Sequence, residues 1–447
     1  ELHDDAPTHL LTAATHIMRS NQTTRRAGGR KALGALLLTT IVFATACNKL
    51  LDVSNPGRVP VEALDDPALM PTLEAAALQQ FQCGFAQFVA TGGMLSGEYL
   101  SANAFVDNHP WEWRGMVEIK GAPGSCPGAN ARTVTSMGFY TPLQQARFQL
   151  EDASARLEKF TDAQVPNRQK MLTEFAAYAG YAYAILAEGM CEMAIDNGPK
   201  MTRAQVLAIA EKRFTTAIAL ATTLGDASLR NMATVGRARV RLDLNNLAGA
   251  AADAALVPAG FVRNAEYSET TPARENRLYN LSVRSDFISV GPDYRNLTVN
   301  GVPDPRVKVN DMKRVGADNA TPIWQQQKFI AGAGAVPLPI ASYAEAQLIL
   351  AEASGGQVAV DAINRVRALS GVAPMPAPAP GTDMTAIVLE ERRRQLFSEG
   401  LRYADMNRKG LPFLPAAGTA NRKSQIFGAV TCVPLPDVET LNNPNFK

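Results

Sequence analysis

Apolar residues along the chain recur mainly at helical spacing. In RAQVLAIAEKRFTTAIALATTL, Ala210, Phe214 and Ala217 fall at i, i+4 and i+7, with Glu211, Lys212 and Arg213 between them. That is the buried stripe of an amphipathic helix. PLQQARFQLEDASARLEKF and RQKMLTEFAAYAGYAYAILAEGMCEM precede it as two further helices, and shorter ones follow around Ser228–Leu242 and Asn245–Leu256. Another is predicted from Asp66 and Pro67 through LMPTLEAAALQQFQCGFAQFV, with proline and acidic residues at its start as a helix N-terminus favours. Helix returns at Ser342–Ala353, Val358–Leu369 and Asp383–Glu399, the last two separated by the proline-rich VAPMPAPAP, read as an extended surface loop. The C-terminal VPLPDVETLNNPNFK reads as extended with one short helical turn.

Two stretches break this pattern. Thr91–Gly138 is rich in Gly, Pro and Asn and reads as a long irregular excursion, a kind of segment that often carries function. Residues 258–340 read as loops with a few short strands, including RLYNLSV and DFISV. The expected class is mostly α, built from helical hairpins, with a loop-rich portion of minor β content. The 203–224 segment is similar to the second helix of a tetratricopeptide hairpin, although the helix before it departs from the 34-residue consensus.

Composition narrows the function classes. The chain has 447 residues, 46% hydrophobic and 19% charged, which suits a large globular core. Its formal charge of +2 comes from the N-terminal 46 residues, and the remainder carries equal numbers of acidic and basic groups. A neutral body has no electrostatic footprint for nucleic acid. Of the four histidines, His3, His9, His16 and His109, only His109 lies beyond the N-terminal segment, so a multi-histidine metal site or HExxH protease is excluded. No GxSxG is present either. No cofactor is expected.

Met18–Cys47 has a basic start (Arg25, Arg26, Arg30, Lys31), an apolar run from Ala32 to about Ala44, and the ending Ala44-Thr45-Ala46-Cys47. This reads as a secretory signal with a lipobox, in which Cys47 becomes the acylated N-terminus. Residues 1–17 read as an over-extended start. The expected organisation is 1–46 start and signal, 47–60 lipidated tether, and 61–447 one helical domain. Four cysteines follow, Cys83, Cys126, Cys191 and Cys432, with three possible connectivities. Cys83–Cys126 is the favoured disulfide, since it would tie a loop to a nearby helix, and free buried thiols are the alternative.

The C-terminal third carries a family resemblance. PLPIASYAEAQLILAEA, AVDAINRVRALSG, ERRRQLFSEGLRYADMNRKG and VPLPDVETLNNPNFK resemble, in order and spacing, the corresponding runs of the SusD/RagB family, and Asp304–Arg306 also has a counterpart. The resemblance implies a helical scaffold and binding of glycans or other nutrient oligomers without catalysis. It further implies partnership with a TonB-dependent (SusC-like) outer-membrane transporter, reached from a lipid anchor on the membrane. A helical-hairpin scaffold lipoprotein that binds protein partners is the alternative function.

Two residue groups are candidates for chemistry. Glu390, Glu391, Arg392, Arg393, Arg394, Glu399, Arg402 and Asp405 superficially suggest acid/base work, but acids interleaved with arginines read as a structural ion-pair network. Trp111 and Trp113, in DNHPWEWRG, lie in the irregular excursion beside Asp107, Asn108, Glu112 and Arg114. Exposed rings in loops stack on the apolar faces of sugars, and amide, acid and guanidinium groups bind hydroxyls. Trp111, Trp113, Tyr294 and Trp324 are therefore the expected ligand contacts, with Tyr140 a weaker candidate and core anchoring the alternative role.

Overall fold

The computed structural model describes residues 61–127 and 137–446. Cys47, the signal and the tether lie outside the described residues. The chain divides into units 1–64 and 65–447. Of the first, a 3-10 turn beginning at Val61 is described.

The second unit is mostly α. Its longer helices are α1 (Met70–Leu95), α2 (Tyr140–Leu157), α3 (Arg168–Gly189), α4 (Arg203–Leu224), α5 (Ala227–Asp243) and α6 (Leu247–Ala254). After a loop-rich stretch come α7 (Tyr343–Ser354), α8 (Gly356–Leu369), α9 (Thr385–Gln395) and α10 (Leu401–Lys409). Each of α2 to α8 packs on its predecessor, in the manner of stacked helical hairpins. In α3 every residue from Met171 to Gly189 is buried, which explains its run of small alanines: side chains of that size let helices approach on all sides. The predicted stripe of α4 faces inward, with Ala210, Phe214 and Ala217 fully buried. Phe214 is wedged between two glycines. A Cβ at Gly180 of α3 would come within 2.7 Å of its ring, and one at Gly236 of α5 within 2.4 Å.

Local signals set the helix ends. Thr202 and Gln205 form a reciprocal capping box at the start of α4, which ends at Gly225 in a left-handed conformation (φ 74°). Asp226 then caps α5 by accepting from Leu229 N at 2.9 Å.

Several expectations are corrected. The 91–138 excursion carries regular elements among its described residues, because α1 continues to Leu95 and is followed by strand β1 (Tyr99–Ser101) and short helical turns, among them Pro110–Trp113 and Met116–Gly121. RLYNLSV is helical, not extended: Asn276 caps it by accepting from Tyr279 N at 3.1 Å, and Leu278 and Leu281 bury at helical spacing. α9 stops at Gln395, short of Glu399, since Ser398 (φ 64°) and Gly400 (φ 82°) take left-handed conformations, and α10 starts afresh.

The remaining strands form two-stranded antiparallel ladders. Three of them are β2 (Val262–Ala265) with β6 (Leu338–Ser342), β3 (Ile288–Val290) with β1, and β4 (Val309–Val315) with β5 (Pro322–Gln326), and shorter ones pair Glu192–Met193 with Met201–Thr202 and Thr298–Val299 with Val302–Pro303. In the β1–β3 ladder Leu100 stands opposite Ser289, whose hydroxyl donates to Pro322 O at 2.7 Å and accepts from Trp324 N at 2.9 Å. Strands 190 and 220 residues along the chain are thereby fastened to the end of α1. Two disulfides add covalent ties, Cys83–Cys126 between α1 and the excursion, and Cys191–Cys432 between the end of α3 and the C-terminal segment.

Candidate functional site

Where α1 ends, the turn Ser96–Gly97 feeds β1, with Gly97 at φ 78°. Beside this turn lies a cleft of about 710 Å³. Its lining combines apolar groups, from Leu100, Leu411, Pro412, Leu414 and Pro415, with Glu112, Tyr294, Arg393, Arg402 and Arg422. Residues far apart along the chain meet here.

Most of these charges are already matched. Arg422 holds the Glu112 carboxylate with two bonds, at 2.5 and 3.0 Å, and also donates to Ser101 O and Thr321 Oγ1. Glu112 in turn accepts from Ser101 N at 2.8 Å. Arg393 pairs with Glu390 at 2.7 Å and donates to Asp293 O at 2.9 Å. Arg402 differs: half-buried on the cleft wall, it forms no ion pair or side-chain hydrogen bond among the described residues. Beneath it Glu98 is 1% exposed and accepts from Ser398 N at 3.2 Å. Burial pushes its carboxyl up to about 7, against the opposing pull of the Ser398 N–H, Arg402 and Lys328.

The acid–base run of α9 and α10 forms a buried ion network. Glu391 takes Arg306 and Arg367, each at 2.5 Å. Arg392 is bidentate on Asp405 at 2.8 and 2.9 Å, and Arg408 reaches the same carboxylate at 2.7 Å. Burial would push Asp405 up, but Arg392 and Arg408 outweigh it and hold the carboxyl at about 2. Glu399 pairs with Lys328 at 2.7 Å. Such charges are committed to each other. Among the described residues no group of three or more His, Cys, Asp or Glu is placed to hold a metal ion.

The predicted aromatic contacts divide into two kinds. Trp111 is 2% exposed and lies 5.9 Å from Phe139, so it anchors the Pro110–Trp113 turn in the core and offers no ring face to a ligand. Tyr294 is also 2% exposed, stacked on Phe397 at 5.0 Å with the Arg393 guanidinium 4.9 Å from its ring centre. It reaches the cleft wall, but not as an open platform. Both placements correct the assumption of exposure, and for one reason: apolar area this large buries whenever a hydrophobic neighbour is in reach. Tyr140 is likewise buried, donating to Glu439 at 3.0 Å. Trp113 and Trp324 remain half-buried, Trp324 with Arg295 over its ring at 5.1 Å. Arg422 carried no sequence signal, because its partner Glu112 lies 310 residues away. Arg402 stood in the predicted ion network but proves to be its unmatched member.

The model of the SusD family matches residues 263–415. Among solved structures, the chain is similar to a SusD superfamily protein from Bacteroides vulgatus, with TM-score 0.60 and 15% identity, covering 85% of this chain and 98% of that one. A SusD-like carbohydrate binding protein from the same organism gives TM-score 0.62 at 14% identity over 85% and 97% of the two chains. Surface glycan-binding protein A from Bacteroides uniformis gives 0.61 at 16% identity over 85% and 98%. No curated protein sequence matches. At such identities the likeness is one of fold.

Proposed function

We propose that the chain is a member of the SusD/RagB family, whose model matches residues 263–415, and that it is a lipid-anchored surface protein that captures a glycan and passes it, unaltered, to a TonB-dependent outer-membrane transporter. The observation that carries the binding part is the cleft at the end of α1, lined both by apolar residues and by Arg402, whose guanidinium makes no ion pair or side-chain hydrogen bond among the described residues. Apolar surface packs against sugar C–H faces, and a free guanidinium donates to hydroxyls and ring oxygens. Trp113 and Trp324, half-buried, do not line this cleft. Relatives of the same fold named as carbohydrate and glycan binders support the ligand class. Anchoring rests on the lipobox ending at Cys47, and no helix among the described residues is long and apolar enough to cross a membrane.

The test is native electrophoresis through gels containing soluble glycans, with product analysis of each glycan after incubation. Retention on at least one glycan, without new reducing ends, is expected. Absence of retention on a broad panel defeats the glycan reading, and appearance of shortened oligomers defeats the non-catalytic one. Cys47→Ser should move the protein out of the membrane fraction, and its persistence there at processed size argues against the anchor.

A further inference from the structure

Two hollows share one wall. The stretch 292–298 lines the cleft described above with Pro292, Asp293 and Tyr294, and a second hollow of about 710 Å³ with Asn296, Leu297 and Thr298. Consecutive arginines of α9 clamp this wall from behind. Arg393 donates to Asp293 O at 2.9 Å, and Arg394 to Thr298 O at 3.0 Å. Asp304, at the base of the second hollow, is saturated by Arg306 at 2.8 Å and Arg394 at 3.0 Å.

The rim is the opposite. Asn296, Lys308 and Asn310 line the same concavity, and none makes a side-chain hydrogen bond or ion pair among the described residues. Two amides and an ammonium present seven N–H donors by their chemistry and two carbonyl acceptors. Pro303, Pro305 and Val307 supply apolar surface beside them. All three are exposed, so solvent meets their donors and acceptors and a ligand's hydroxyls can take its place.

We propose that this second hollow is a saccharide subsite for a neutral, hydroxyl-rich oligomer that crosses the 292–298 wall from the first cleft. It rests on the reading of the chain as a glycan binder. Amides match vicinal hydroxyl pairs, which both donate and accept, whereas a polyanion would find a single uncommitted cation, Lys308. Two subsites on one rigid wall also make affinity rise with chain length, since the second contact is intramolecular.

The experiment compares wild type with the Lys308→Ala/Asn310→Ala double variant in gels containing amylopectin, laminarin, arabinoxylan or polygalacturonate, and by titration calorimetry on the best of them. We expect retention of wild type on a neutral glycan and at least a fivefold loss of affinity in the double variant, with an unchanged melting temperature. Equal affinity of the double variant overturns the subsite while leaving the glycan reading intact. Retention on polygalacturonate alone overturns the neutral ligand class. No retention of wild type on any of the four overturns both the subsite and its premise.

Discussion

In the seam between α9 and α10, Arg392 is buried and bidentate on Asp405; ten residues later, lining the cleft, Arg402 makes no ion pair or side-chain hydrogen bond among the described residues. The same contrast separates Asp304, saturated by two arginines, from Asn296 and Asn310 on the hollow above it. A buried charge that loses its partner costs several kcal/mol, so the seam tolerates no unmatched member. A rim side chain is hydrated, and leaving it unpaired costs little. In the cleft and the hollow, the uncommitted polar groups lie where water, and hence a ligand, can reach. Between the seam and these two hollows, pairing distinguishes scaffold from site better than residue type does.

The sharpest way to break that contrast is to remove a carboxylate from the seam. Asp405→Ala leaves the buried Arg392 with only the more distant Glu352 carboxylate, at 3.8 Å, while Arg408 keeps Glu352, and a loss of about 3–5 kcal/mol in urea unfolding is expected; a loss below about 1 kcal/mol would contradict the assignment. The wild-type pH profile should carry the same signature. Asp405 is held at about 2, below its ordinary value of 3.8, so its contribution is full above about pH 4 and disappears as pH falls through 2.

Glu98 has the opposite sign. Its carboxyl is raised from 4.5 to about 7, so the folded chain keeps a proton that the unfolded chain has released, and stability falls as pH rises through that window. Glu98→Gln should therefore be nearly neutral at pH 4.5 and stabilising at pH 8, by about 1–3 kcal/mol. An effect independent of pH would show that Glu98 is ionised in the fold. A comparable effect of the opposite sign, about 1–3 kcal/mol of destabilisation, is expected for Gly236→Ala, since the added methyl meets the Phe214 ring that Gly180 also abuts. Chevron or equilibrium melts check it, and an unchanged midpoint would mean that the α3–α4–α5 packing yields easily. Smallest for the fold is Arg402→Ala. We expect a change within about 0.5 kcal/mol in stability, together with weakened glycan retention. A large loss of stability with binding unchanged would move Arg402 from the site to the scaffold.

Much of the scaffold was legible because helix formation is local. The stripe of Ala210, Phe214 and Ala217, the small residues of α3 and the acid–base alternation of α9 are properties of single segments, and each appears in the fold in its expected role. The departures also have local causes. RLYNLSV looks extended until the Asn276 cap is weighed, and α9 ends early because Ser398 and Gly400 adopt left-handed conformations. The aromatic candidates were less legible. Trp111 and Trp113 are two residues apart in one loop, yet one is an anchor and the other half-open, since a short helical turn sends neighbouring side chains in different directions.

By itself, then, the sequence determined the helices, their caps and buried faces, the family resemblance and the neutral charge that turns attention from polyanions to uncharged ligands. Those properties are encoded in spacing and composition within a few turns of chain. Tertiary structure alone decided which charges would be matched and which left open. Glu112 meets Arg422 across 310 residues, and Glu391 meets Arg306 across 85. The two hollows exist because 292–298 is clamped by arginines about a hundred residues away. Pairing across such separations depends on how packed elements bring distant backbones together, and no periodicity along the chain reports it.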